Sequence, residues 1–123
     1  MEKIKNFTDL IAWKEAHNLV LFVYETTKKF PREESFGLTN QTRRAVISVT
    51  SNIAEGFGRR TAKDKSNFYT MASTSLAELQ NQMLAARDLR YITKEEFAQF
   101  AEQSIRVGKL LSGLIRSAEN KSL

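Results

Sequence analysis

The sequence contains no cysteine, a single histidine (His17) and a single proline among its 123 residues. The lack of cysteine excludes a disulfide framework, a thiolate metal site and a cysteine nucleophile. One histidine cannot supply a histidine-rich metal site, and it argues against a Ser–His catalytic triad. No nucleophile–base pair or metal-ligand cluster stands out. We therefore predict a protein that is not an enzyme and that uses neither a metal nor another cofactor.

Long apolar runs are also missing. The longest uninterrupted run extends only from Leu19 to Tyr24, whereas a membrane-spanning helix needs about 20 residues. The first residues lack the apolar segment that is typical of a signal peptide. We therefore expect a cytoplasmic protein with no membrane partner.

Glycine is scarce and strand-like alternation is nowhere sustained, which predicts an all-α fold. The length of 123 residues suits one domain with one core. Apolar residues recur at spacings of three and four and predict helices at about 9–28, 39–57, 62–90 and 94–117. Two long stripes of this kind predict an antiparallel up-and-down four-helix bundle. Thr8, Thr61 and Thr93 are the predicted N-caps of the first, third and fourth helices.

The first predicted helix is apolar around most of its circumference. Its main stripe includes Ala16 and Val20, but further apolar residues lie outside that stripe. A helix of this kind must be buried on more than one side. In a domain of this size, a second subunit best explains the surplus apolar surface. The predicted subunit-interface residues are Trp13, Leu21, Phe22 and Tyr24.

The net charge of +5 favours an acidic partner such as nucleic acid. The basic residues concentrate in one stretch, which contains Arg43, Arg44, Arg59, Arg60, Lys63 and Lys65. Adjacent residues on a helix diverge by about 100°, so the first two of these cannot serve one site. The other four lie at the predicted turn between the second and third helices. We predict that all six side chains bind phosphate backbones with little sequence specificity.

The stretch SNIAEGFGRR, from Ser51 to Arg60, closes the second predicted helix. Its glycines match neither a phosphate-binding loop nor a dinucleotide fingerprint. We predict instead that Gly58 ends the helix in a left-handed conformation and that Gly56 permits close helix contact.

The carboxylate in this stretch, Glu55, lacks the second titratable partner that acid–base catalysis usually needs. It shares the polar face of the second predicted helix with Ser48, Asn52 and Arg59. We predict that these four residues form a structural polar network.

Several segments occur in an order that resembles one protein family. They are FTDLIAWKEA from Phe7, FPREE from Phe30, LTNQTRRA from Leu38, the segment from Ser48 to Arg59, and then Phe68, Ala72, Ser75, Leu76 and Glu78. Together they resemble the four helix bundle proteins, also called 23S rRNA intervening-sequence proteins, over nearly the whole chain. One departure is Thr74–Ser75, where the family commonly has a Gly-Ser pair.

The resemblance implies a fold and a genetic neighbourhood more than a function. Some members are encoded in sequences that interrupt ribosomal RNA genes. A related branch comprises the accessory proteins of diversity-generating retroelements, which form five-subunit rings, bind nucleic acid and associate with a reverse transcriptase. The resemblance therefore implies a homopentamer, with RNA or DNA and a reverse transcriptase or another protein as partners. An assembly module that binds only proteins, through the polar face of the second helix, is the alternative.

Overall fold

The computed structural model describes residues 3–120. Within this range there are four α-helices and no strand: α1 (Ile11–Thr27), α2 (Leu38–Gly58), α3 (Ala62–Asp88) and α4 (Lys94–Asn120). Each helix packs against the next one, and α1 also packs against α4, so the four form a bundle. The predicted all-α fold is confirmed. None of these helices is long and apolar enough to cross a membrane.

The predicted apolar stripes of α2, α3 and α4 form most of the core. The stripe residues that are buried are Thr42, Val46, Val49, Ile53, Tyr69, Ala72, Leu76, Leu79, Met83, Ala86, Phe100, Ser104, Val107, Leu111 and Ala118. On α1 the buried apolar residues include Ala16, Leu19 and Val23. The spacing of three and four therefore identifies the inward face of each helix.

The start of the first helix differs from the prediction. Asn6 caps a separate 3-10 turn, Phe7–Asp9, and its side chain accepts a hydrogen bond from the Thr8 backbone N–H at 3.0 Å. The Asp9 carboxylate in turn accepts the backbone N–H of Asn6 at 3.1 Å. Leu10 is extended and buried, and α1 begins only at Ile11. The prediction of Thr8 as the N-cap is wrong, because Asn6 and Asp9 close this turn first.

The predicted N-caps of α3 and α4 are confirmed. The Thr61 hydroxyl accepts the backbone N–H of Asp64 at 3.1 Å. Thr93 and Glu96 form a reciprocal capping box, in which each side chain accepts the other residue's backbone N–H, at 2.9 and 3.0 Å. Hydroxyl caps of this kind satisfy amide groups that have no partner inside the helix.

The α1–α2 connection (residues 28–37) and the α3–α4 connection (residues 89–93) lie together and are called the loop end. Glu34 joins them, because its carboxylate accepts the Leu38 backbone N–H at 3.0 Å and the Tyr91 hydroxyl at 2.9 Å. These two hydrogen bonds lower the pKa of Glu34 below its ordinary value. Glu96 makes a second link by pairing with Lys29.

Candidate nucleic-acid interface

The two glycines at the end of α2 have different roles. A Cβ atom on Gly56 would lie 2.7 Å from Cε1 of Tyr69 and 3.1 Å from Cβ of Phe68, both on α3. The prediction that Gly56 permits close helix contact is thus confirmed. Gly58 does not adopt a left-handed conformation, so that prediction is wrong. The chain leaves α2 through Arg59, which caps the helix in an extended conformation.

The side chains of Arg59, Arg60, Lys63 and Lys65 surround this junction and are called the basic end. Two of these cations are held by the protein. The Arg59 guanidinium pairs with Glu55 at 3.1 Å and lies 4.4 Å from the centroid of the Phe68 ring. Lys65 Nζ donates to the backbone oxygen of Phe57 at 2.7 Å. Lys65 thereby caps the negative pole of α2.

Arg60 and Lys63 differ from these two residues. Both side chains are exposed, and within residues 3–120 neither forms a hydrogen bond or an ion pair. An arginine and a lysine without carboxylate partners are the groups that meet phosphate oxygens most readily. The basic end therefore offers two cations to a polyanion, while its other two cations add to the local positive field.

Arg43 and Arg44 lie apart from the basic end. Arg44 precedes Gly58 by 14 residues, which places it about 21 Å away along the helix axis at 1.5 Å per residue. Arg43 Nε donates to the Thr27 hydroxyl at 2.8 Å, and its guanidinium lies 4.7 Å from the centroid of the Tyr24 ring. The six predicted phosphate-binding side chains thus do not form one surface.

The residues of the predicted polar network lie in two separate contacts. Asn52 Nδ2 donates to Ser48 Oγ at 3.1 Å. Ser48 Oγ in turn lies 2.7 Å from Oγ of Ser75 on α3. The Glu55–Arg59 ion pair is exposed and forms no hydrogen bond with Ser48 or Asn52, so its contribution to stability is small. The serine pair connects α2 to α3 along the helices, and the Glu55–Arg59 pair lies at the end of α2, where Arg59 also contacts Phe68 of α3.

A polar cleft of about 380 Å³ between α2 and α3 includes the serine pair. Arg44, Glu78 and Gln82 also line it. The side-chain oxygen of Gln82 is buried and accepts no hydrogen bond from any residue that the structure describes. Sequence reasoning missed Gln82, because a polar residue on a helix carries no local sign of what faces it.

The four predicted interface residues of α1 divide into two pairs. Leu21 is 58% exposed and Tyr24 is 37% exposed. Phe22 packs inward, with its ring centroid 6.5 Å from that of Phe100. Trp13 packs against the core and stacks on His17, with ring centroids 4.7 Å apart. Only Leu21 and Tyr24 therefore present a large exposed surface.

Further cations lie near the basic end. Ile4 of the N-terminal segment and Leu114 of α4 line the same cavity as Arg60. Lys3 and Lys5, which flank Ile4 in the chain, are exposed. The sequence pattern misses this neighbourhood, because its members come from three distant parts of the chain. Residues 3–120 contain no group of three histidine or acidic side chains that could hold a metal ion.

The sequence model of a protein family described as 23S rRNA-intervening sequence protein matches residues 8–113. The matched range contains the α2–α3 junction, the polar cleft and most of α4. A comparison with curated proteins gives no match.

Proposed function

The chain belongs to the 23S rRNA-intervening sequence protein family, and on that premise we propose that it is a non-enzymatic accessory or scaffold protein that binds RNA or DNA backbones. The observation that carries the proposal is the pair of exposed cations without carboxylate partners, Arg60 and Lys63, at the basic end. Contacts to phosphate position a protein on nucleic acid without reading its bases. Binding with low sequence specificity follows.

The proposed mechanism is the replacement of condensed counterions by protein cations. Each phosphate that a cation neutralises lowers the slope of log affinity against log salt by about 0.7 to 0.9. Arg60 can donate two parallel hydrogen bonds to one phosphate, whereas Lys63 acts as a point charge. Arg59 and Lys65 stay with Glu55 and the end of α2 and contribute through their field.

We also propose that the subunit is an antiparallel up-and-down bundle and that five subunits form a ring. The joining of the α1–α2 and α3–α4 connections through Glu34 and Tyr91 supports the up-and-down course. The exposed apolar surface of Leu21 and Tyr24 supports a contact between subunits. A ring would repeat the basic end once per subunit, so that modest phosphate contacts add up through multivalency.

Fluorescence anisotropy with a short labelled RNA and a DNA of the same sequence tests the nucleic-acid proposal. We expect both to bind at low salt, with affinities that fall steeply between about 50 and 200 mM salt. Scrambling the base sequence should change the affinity little. Absence of binding at low salt, or binding that ignores salt, would contradict the proposal.

Light scattering on the purified protein tests the ring separately. We expect five times the mass of one chain for the wild type. Leu21→Glu should lower the mass, because a charge would then replace apolar surface at the contact. Lys14→Glu changes an exposed residue of the same helix by charge alone and serves as the control. A wild-type mass of one chain would contradict the ring.

A second candidate function is a protein–protein assembly module without nucleic-acid affinity. The polar cleft between α2 and α3 favours it, because the exposed side chains of Arg44 and Glu78 line an open surface there that polar groups of a partner can contact. The partner would be another copy or a protein such as a reverse transcriptase. This candidate predicts that Arg44→Ala or Glu78→Ala alters assembly or partner capture, while RNA binding is absent even at low salt.

A further inference from the structure

A cavity of about 500 Å³ lies at the basic end. The N-terminal segment, the last turn of α2 and the last turns of α4 supply its apolar wall, which consists of Ile4, Leu10, Phe57, Leu114 and Ala118. Arg60 and Lys65 line the same cavity, and Tyr69 enters it from α3. Its volume lies within the range of about 300 to 1,000 Å³ that is usual for small-molecule sites. Ser117 adds a further polar group, so the cavity has an apolar wall and a polar side.

Tyr69 is the buried polar group of this cavity. The residue is only 4% exposed, and its side chain makes no hydrogen bond within residues 3–120. Its hydroxyl is not a buried, unpaired atom but is open to solvent in the cavity. The ring lies against Gly56, which brings α2 close to it. Packing thus holds the Tyr69 ring in place, and its hydroxyl is a hydrogen-bond donor that a ligand in the cavity can reach.

The cationic side of the cavity is formed by Arg60 and Lys65. Lys65 Nζ is 5.4 Å from the centroid of the Phe57 ring and is held by the α2 carbonyls. The exposed guanidinium of Arg60 is available for an anion. The cavity thus combines an aromatic and aliphatic wall, one hydroxyl donor that a ligand can reach and a positive rim.

We infer that this cavity binds one unpaired base of a single-stranded nucleic acid, with the adjoining phosphate on Arg60. A nucleobase is flat and apolar on its faces, so it can pack against Phe57 and the aliphatic wall. Every base also carries a ring or carbonyl acceptor that the Tyr69 hydroxyl can bond. A purely aliphatic ligand would leave that donor unpaired. The inference rests on the proposed phosphate binding and adds the base to it.

A preference for single strands follows from this geometry. In a duplex the bases are stacked and paired, and extruding one costs a few kcal/mol. In a single strand the base is available at little cost. We therefore expect single-stranded RNA or DNA to bind more tightly than a duplex of the same length and charge.

Anisotropy with two labelled strands of equal length tests the inference. One strand is oligothymidylate, and the other has the same phosphates with an abasic sugar at every position. Stacking contributes about 1 to 3 kcal/mol per base, so oligothymidylate should bind at least about fivefold more tightly. Tyr69→Phe, which removes only the hydroxyl, should weaken oligothymidylate binding about two- to tenfold. The same variant should leave the abasic strand unaffected.

Tyr91→Phe is the matched control, because it removes a phenol hydroxyl at the loop end, outside the cavity. Equal, salt-dependent binding of the two strands would overturn the cavity inference and leave phosphate binding in place. Absence of binding by both strands at low salt would contradict the proposed function, and the inference with it. An unchanged melting temperature for Tyr69→Phe excludes unfolding as the cause of a lost affinity.

Methyl NMR with thymidine monophosphate locates the site directly. We expect shifts of the Leu10 and Leu114 methyl signals, which belong to the cavity wall. The signals of Leu84, which is exposed on α3 and does not line the cavity, should stay unchanged. Decanoate in place of the nucleotide tests an aliphatic anion. Shifts at Leu10 and Leu114 with decanoate but not with the nucleotide would overturn the inference.

Discussion

At the loop end, carboxylates bond two connections together, whereas at the basic end cations surround an open cavity. Glu34 and Glu96 each accept hydrogen bonds from two parts of the chain. At the basic end, Arg60 and Lys63 are exposed and make no such bond within the described residues. The charges of the loop end therefore stabilise the fold, whereas two of the cations at the basic end are available to a ligand.

The largest effect on stability is expected at the basic end, where Gly56 of α2 lies against Tyr69 and Phe68 of α3. Gly56→Ala places a methyl group 2.7 Å from the Tyr69 ring. Overpacking of this kind costs about 1 to 3 kcal/mol of the free energy of unfolding. Urea denaturation measures this loss in the free energy of unfolding.

Gly58→Ala is the matched control for this change. A Cβ atom at Gly58 would meet nothing within 4 Å, and its φ angle is not positive. Alanine there should be neutral or stabilise the fold by about 0.5 kcal/mol. Equal destabilisation by the two variants would contradict the close contact between α2 and Tyr69.

The helix caps of α3 and α4 allow the two ends to be compared through a smaller expected loss in the free energy of unfolding. Thr61→Ala removes a hydroxyl that caps α3 at the basic end, and Thr93→Ala removes one from the capping box at the loop end. Each change should lower the free energy of unfolding by about 1 kcal/mol. Thr→Ser at the same positions retains the hydroxyl and should restore most of the loss. Alanine variants as stable as the wild type would contradict the caps.

The smallest effect expected is the acid sensitivity of the loop end. The folded pKa of Glu34 is lowered chiefly by the Leu38 backbone N–H, and that of Glu96 chiefly by Lys29. The folded protein therefore binds fewer protons than the unfolded chain at acid pH. The stability that these groups provide is complete above the ordinary glutamate pKa and is lost as pH falls through it towards the folded values.

Urea midpoints measured from neutral to acid pH test the direction of this pH dependence of stability. The double variant Glu34→Gln/Glu96→Gln should lose less stability on acidification than the wild type. Glu33→Gln removes an exposed carboxylate of the same connection that makes no hydrogen bond within residues 3–120, and it should behave like the wild type. A double variant with the wild-type pH dependence would contradict the role of these carboxylates.

The features of the bundle that can be predicted from the sequence are those that depend on residues within a single helix. The stripes of α2, α3 and α4 follow from the spacing of three and four, and the Thr61 and Thr93 caps follow from local side-chain chemistry. The turn capped by Asn6 is missed, because two polar residues compete with Thr8 for the same amide groups. The extended Arg59, in place of a left-handed Gly58, is missed for a related reason: glycine permits that conformation without requiring it.

Contacts between helices are the part that the sequence alone does not predict. Ser75 becomes the partner of Ser48 only once α2 and α3 pack side by side, and the tight contact of Gly56 with Tyr69 likewise depends on that packing. The cavity is also invisible in the sequence, since Leu10 and Leu114 belong to distant segments. The separation of Arg44 from the basic end follows from helical rise once α2 is seen to be continuous.

Charge reversal at each end, read by RNA binding at low salt, tests the central claim most directly. Arg60→Glu/Lys63→Glu reverses two exposed cations at the basic end. Arg32→Glu/Lys94→Glu makes the same change of net charge at or beside the loop end, where both side chains are exposed. We expect the first variant to lose at least about tenfold in affinity and most of the salt dependence, and the second to bind nearly as the wild type does. Equal losses in the two variants would contradict a nucleic-acid surface at the basic end.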